Sequence, residues 1–197
     1  MKEYKIITAE NADSWESVSK EEIKECVWSP NRAPRAQMQG VFLKDKGLVF
    51  HLKSFAPVER AENWDPDSAV WEDNCLEWFF SADGKKYVNL EVNANSALRA
   101  SVGTGRHERT FLLETGCEMP QASAIEGEDG WEVFLFVPCS TFKELFGTEL
   151  KQGTELKANF YSCGDKTPVP YYAAWNEVET ETPDFHRPEF FGKLIIE

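Results

Sequence analysis

The chain has no hydrophobic run long enough to cross a membrane as a helix. Its longest apolar stretches, such as residues 133–138 and 194–196, fall far short of the roughly 20 residues that a spanning helix needs. Its start, MKEYKIITAENADSW, lacks the apolar segment and small-residue cleavage pattern of a secretion signal, so a cytoplasmic location is expected, or a secreted one if a leader has been removed. Basic residues are scarce. The 21 Lys and Arg stand against 34 Asp and Glu, and the resulting net charge of −13 repels phosphate backbones and anionic lipid. Neither nucleic acid nor membrane is therefore expected as a partner.

Cysteine is present but unpatterned. Cys26, Cys75, Cys117, Cys139 and Cys163 are odd in number, with long uneven gaps and no CxxC pair, which argues against a disulfide framework and against a zinc cage. All five are expected to act as small apolar residues. The sequence also lacks GxSxG, a Walker loop, a dinucleotide fingerprint and HExxH, and its three histidines, His51, His107 and His186, have no metal-ligand spacing. His51, between Phe50 and Leu52, is expected to be a hydrogen-bonded sheet residue. No repeat and no Pro-, Gly- or Ser-rich linker divides the chain, so a single domain over residues 1–197 is expected.

What is there is β-pattern. Short β-branched and aromatic runs alternate with turn residues every 10 to 20 positions, which predicts an all-β fold, an antiparallel β-sandwich with jelly-roll or immunoglobulin-like layering. Residues 40–55 predict one hairpin turning near Asp45 to Gly47, and residues 69–95 a longer one turning around Asp83 and Gly84. Further strands are expected at 130–138, 155–164 and 191–197. One or two short peripheral helices are expected, over 14–28, where Ile23 and Val27 lie four apart, and over 140–147, where Ser140 offers a cap and Gly147 a stop.

Side chains alternate across a strand, so the long hairpin sorts by parity. Leu76, Trp78 and Phe80 with Val88, Leu90, Val92 and Ala94 make one apolar face. Asp73, Glu77, Asn89, Glu91, Asn93 and Arg99 make the other. For both apolar faces to enter one core the turn must hold an odd number of residues, which places Glu77 opposite Asn89 or Glu91. The polar face reads either as the solvated side of a half-buried sheet or as the grip for a hydroxyl-rich ligand, because carboxylates, amides and Arg match sugar hydroxyls while aromatic rings match C–H faces. Trp71 and Trp175 are the candidate ring platforms, and Trp78 and Trp131 are expected in the core. Glu77 and Glu91 also admit a glycosidase reading, as an acid paired with a nucleophile or base. The acidic stretch with Glu62, Asp65, Asp67, Glu72 and Asp73 lacks the spacing of a calcium loop.

Four segments in order, VWEDNCLEWFF (70–80), YVNLEVNANSALRASVGTGR (87–106), ANFYSCGD (158–165) and AAWNEVETETPDFHRPEFFGKL (173–194), resemble the carbohydrate-binding module family 9-like domains, which belong with the DOMON-type β-sandwiches. The resemblance covers about residue 40 to the C-terminus. It implies a non-catalytic module for a mono- or oligosaccharide, with two Trp rings, Trp71 and Trp175, clamping a terminal sugar and Glu77 and Arg99 gripping its hydroxyls. Parity and proximity add Glu91, Asn93 and Tyr172. No cofactor is required by the resemblance, although family members can carry a structural calcium ion. The alternatives are a glycoside hydrolase, an interaction sandwich without a sugar ligand, and a DOMON-like haem binder with axial His or Met.

Overall fold

Apolar residues at every second position organise the β-structure, and each strand turns that row toward one core. The protein is represented by a computed structural model that describes residues 1–12, 15–26, 28–29 and 33–197. Its strands are β1 (Glu3–Ala9), β2 (Glu21–Ile23), β3 (Ala36–Leu43), β4 (Gly47–Ser54), β5 (Cys75–Ser81), β6 (Tyr87–Asn93), β7 (Leu98–Gly103), β8 (Arg109–Phe111), β9 (Gln121–Gly127), β10 (Gly130–Pro138), β11 (Glu155–Gly164), β12 (Tyr171–Ala174) and β13 (Gly192–Ile196). The helices α1 (Leu112–Thr115) and α2 (Cys139–Phe146) are short, as are the 3₁₀ turns Val70–Glu72 and Pro188–Phe190. The chain is thus mostly β, as expected.

The strands follow one curled path, β8-β7-β6-β5-β11-β13-β1-β3-β4-β10-β9, with β12 added to β11 and β2 to β3. The expectation of a purely antiparallel sheet is corrected by β1. Its first half runs parallel to β13, Tyr4 beside Leu194, and its second half parallel to β3, Thr8 beside Phe42, so one strand joins the two halves of a mixed sheet. The halves then face each other. Phe50 of β4 lies 4.5 Å from Trp78 of β5 and 4.9 Å from Phe160 of β11, ring to ring. This curled arrangement is consistent with an all-β sandwich. Trp78 and Trp131 lie in its core as expected, though neither indole N–H has a hydrogen-bond partner among the described residues.

Both expected hairpins form. The turn after β5 holds residues 82–86, an odd number, so Trp78 pairs with Leu90 and Phe80 with Val88 on the core face. Helix α2 also forms, and Gly147 ends it in a left-handed conformation (φ 68°), where a glycine has no Cβ to clash. Its start differs from expectation: Pro138 occupies the cap position, and the Ser140 hydroxyl donates instead to Glu118. The helix expected over 14–28 is replaced, where that segment is described, by β2 and a bridge from Glu25 to Ala174. Ile23 is fully buried beside β3, and the Lys24 and Glu25 amides both donate to the Ala174 carbonyl, so sheet pairing outweighs local helix propensity. Residues 14 and 27 of that expectation lie outside the described residues.

Candidate functional site

Sheet register assembles the site. Glu77 on β5 lies directly opposite Glu91 on β6, and Glu91 in turn lies opposite Arg99 on β7. On the other side of β5, Cys75 faces Cys163 of β11, and Glu77 faces Tyr161. These residues share the face turned away from the main core. That face is not solvated: Glu77 is 2% exposed, Asn89 1% and Glu91 4%. The reading of it as an ordinary wet sheet surface is therefore corrected, because two irregular segments cover it.

The first cover is the stretch before β5. Asn74 accepts hydrogen bonds from the Glu59 and Arg60 amides at 2.8 and 2.9 Å, and Asp73 accepts from the Asn63 amide at 2.9 Å. Asn93 donates to Asp73 at 2.8 Å and to the Asn63 carbonyl at 2.7 Å, so this amide ties down the cover. The Asp165 amide donates to the Trp71 carbonyl at 3.1 Å, and Lys166 pairs with Glu72 at 2.8 Å, which fixes the 3₁₀ turn carrying Trp71. The second cover is the segment around Phe185. Tyr161 donates to the Phe185 carbonyl at 3.1 Å and stacks on its ring at 4.1 Å, and Tyr87 is hydrogen-bonded to His186 at 2.9 Å.

Between the covers lies a cavity of about 380 Å³. Trp71, Tyr172 and Phe185 supply rings, Glu77, Glu91 and Asp165 carboxylates, and Arg99, Arg106 and Arg109 guanidinium groups. The Arg99 guanidinium stands 5.1 Å from the Trp71 ring centre and 4.8 Å from that of Phe111, and it donates to the Asp67 carbonyl at 2.8 Å. Arg109 lies 4.3 Å from the Tyr87 ring centre and donates to Asn89, which donates to Glu91 at 2.6 Å. The second Glu91 oxygen is buried and has no hydrogen-bond partner among the described residues.

The electrostatics follow from this burial. Desolvation raises the Glu77 carboxyl well above its ordinary range, and the charge of Glu91 opposite raises it further. Glu91 is also raised by desolvation, against the Asn89 hydrogen bond and the charges of Arg99 and Arg109. Burial drives His186 down to about 3, helped by Arg109 and Arg106. These shifts favour the neutral forms, and a neutral group that both donates and accepts suits a neutral, polar ligand.

The profile of carbohydrate-binding family 9 matches residues 10–196. The chain belongs to this family. Among solved structures, a protein from Bacteroides uniformis, whose carbohydrate binding is inferred rather than demonstrated, superposes with a TM-score of 0.83 at 25% identity, over 100% of this chain and 99% of its own. A family 9 module from Caldicellulosiruptor kristjanssonii, solved with cellotriose and again with glucose, superposes with a TM-score of 0.69 at 13% identity over 100% of this chain, covering 94% and 96% of the two solved chains. At that identity the likeness concerns the fold. No curated protein sequence matches the chain significantly.

Of the residues expected at a family 9 site, the structure brings Trp71, Glu77, Glu91, Arg99 and Tyr172 to the cavity. Two do not reach it. Trp175 is fully buried in the main core, edge-on to Phe160 at 5.9 Å, and so cannot be the second clamp. The reason is local: Gly192 leaves the room that the indole fills, since a Cβ there would meet the ring at 2.5 Å. Asn93 is 0% exposed and spends its amide on the cover. Expectation missed Asp165, Cys163, Arg109, Phe185 and His186. The motif DFHRP, an aromatic and a His close to two prolines, is the signal that could have pointed to the last two. Three carboxylates of the acidic stretch form ion pairs: Asp73 with Arg60 at 3.1 Å, Glu62 with Arg60 at 2.8 Å and Glu72 with Lys166 at 2.8 Å.

Proposed function

We propose that this chain, as one family 9 domain, binds a single sugar ring or the end of an oligosaccharide in the cavity without chemically altering it. The observation that carries the reading is the meeting in one cavity of ring faces from Trp71, Tyr172 and Phe185 with a buried Glu91 oxygen that lacks a partner. Sugar C–H faces match the rings, and a hydroxyl donating to Glu91 would satisfy an acceptor that is costly to leave unpaired. Trp71 serves as one platform. Tyr172 and Phe185 take the place that the buried Trp175 cannot fill, while Glu77, Asp165 and Arg99 grip hydroxyls. Membership of a family of binding modules, and relatives solved with glucose and cellotriose, support the same reading.

Ring contacts of about 1 kcal/mol each and charged hydrogen bonds of about 1.5–3 kcal/mol place the dissociation constant at roughly micromolar to millimolar. Calorimetry with glucose, cellotriose and a wider panel of sugars tests this. Trp71→Ala is expected to weaken binding at least tenfold while moving the melting temperature by only a few degrees. Absence of binding by the unaltered protein across the panel overturns the reading. Release of product from a chromogenic glycoside, abolished by Glu77→Gln, would replace it with the hydrolase alternative.

A further inference from the structure

The two thiols read from spacing as unrelated apolar residues meet at the floor of the cavity. Cys75 and Cys163 are directly opposed on neighbouring antiparallel strands. One ligand atom from each, and one from Glu77, all lie within 4.8 Å of one another, and all three residues are buried. No other such group of three His, Cys, Asp or Glu occurs among the described residues. The Cys163 thiol already stands 3.0 Å from a Glu77 oxygen.

We infer that Cys75, Cys163 and Glu77 form a binding site for a thiophilic divalent cation, zinc foremost, with a fourth coordination position open to the cavity. Bonds of about 2.3 Å to sulfur and 2.0–2.2 Å to oxygen place tetrahedral ligand atoms ~3.3–3.8 Å apart, a spacing reached from the observed cluster by small side-chain movements. The donor set decides the class of metal. Two thiolates with one carboxylate suit zinc, whereas calcium and magnesium require oxygen donors. Cys163 and Glu77 line the cavity and Cys75 lies behind them, so the vacant position faces the space where water or a ligand oxygen can enter. Three protein ligands plus one open position is the arrangement of zinc sites that take up an exchangeable fourth ligand. The Glu91 oxygen without a partner, on the strand beside Glu77, can accept a hydrogen bond from water held in that position.

The site does not depend on the sugar reading and is tested without sugar. Reduced, chelator-stripped protein is dialysed against Zn²⁺ and, separately, titrated with Co²⁺. One metal per chain is expected, with near-ultraviolet absorbance from thiolate-to-cobalt charge transfer and a higher melting temperature in Zn²⁺. The double variant Cys75→Ser/Cys163→Ser should lose both signals. The triple variant Cys26→Ser/Cys117→Ser/Cys139→Ser should keep them. No thiolate–cobalt band from the unaltered protein overturns the inference, as does undiminished zinc binding by the double variant. Should that variant fail to fold, the cobalt spectrum of the unaltered protein remains decisive. Sugar calorimetry on the same stripped protein separates failure of the metal site from failure of the sugar site.

Discussion

The two faces of the β5–β6 hairpin are equally hidden from water, yet only one of them is core. Leu76, Trp78, Phe80, Val88, Leu90 and Val92 are buried by the opposite half of the curled sheet, apolar against apolar. Glu77, Asn89 and Glu91 are buried by two irregular segments held through hydrogen bonds and ring contacts. Burial alone therefore does not separate core from site. The difference lies in what each face meets: the first packs ring against ring on the opposite half of the sheet, with the Trp78 indole N–H unpaired among the described residues, and the second keeps a cavity, two raised carboxyls and an unpaired carboxylate oxygen. Such a face is stable because its cover shields polar groups that are mostly paired, and an unpaired group at the cavity is where a ligand has most to gain.

Breaking the core side is expected to have the largest effect. Trp175→Ala should lose about 3–5 kcal/mol of stability in urea unfolding, the cost of emptying a large buried aromatic site, and should leave the sugar affinity of the still-folded fraction unchanged. Selective loss of affinity at full stability would return Trp175 to the binding surface. Phe185→Ala acts on the cover and should do less. It removes a ring that lines the cavity and stacks on Tyr161, so calorimetry should show affinity reduced about three- to tenfold, with a stability loss of about 1–2 kcal/mol. Unchanged affinity would leave Tyr172 alone opposite Trp71.

The smallest effect concerns pH. His186 titrates near 6.5 when unfolded but at about 3 when folded, so between those values the unfolded chain holds a proton that the folded chain does not. Its contribution to stability is complete above pH 6.5 and is lost as the pH falls toward 3. Glu77, Glu91 and Asp165, raised in the folded state, act in the opposite sense above the ordinary carboxyl range. His186→Gln should therefore flatten the decline of stability below pH 6.5 relative to the unaltered chain, seen as urea midpoints measured from pH 4 to 7. Identical slopes in the two proteins would show that the imidazole is solvated.

Much of the architecture was legible because it rests on local rules. The parity of the long hairpin required an odd turn, and the observed register, Glu77 opposite Glu91, is one of the two that it allowed. Gly147 marked the end of α2, and His51 proved to be a paired sheet residue, bonded to Gln39 and Glu132 at 2.9 Å each. The errors have a common origin. The helix expected over 14–28 followed local propensity, but Ile23 is claimed by β3 and the Glu25 backbone by Ala174. Trp71 in AVWED and Trp175 in AAWNE each follow two small apolar residues and precede two polar ones. Gly192 leaves room for Trp175 to turn inward, and Asp165 and Lys166 hold the 3₁₀ turn that carries Trp71 at the cavity.

The sequence by itself determined the β-character, the two faces of the long hairpin and the family, because alternation, turn residues and motif order are properties of neighbouring positions. Tertiary structure alone decided which tryptophan is a platform, that the polar face is roofed, and that two cysteines 88 positions apart meet beside a glutamate. Each of these depends on contacts between distant segments, whose free energy is set by packing and desolvation in the assembled fold and leaves no periodic mark along the chain.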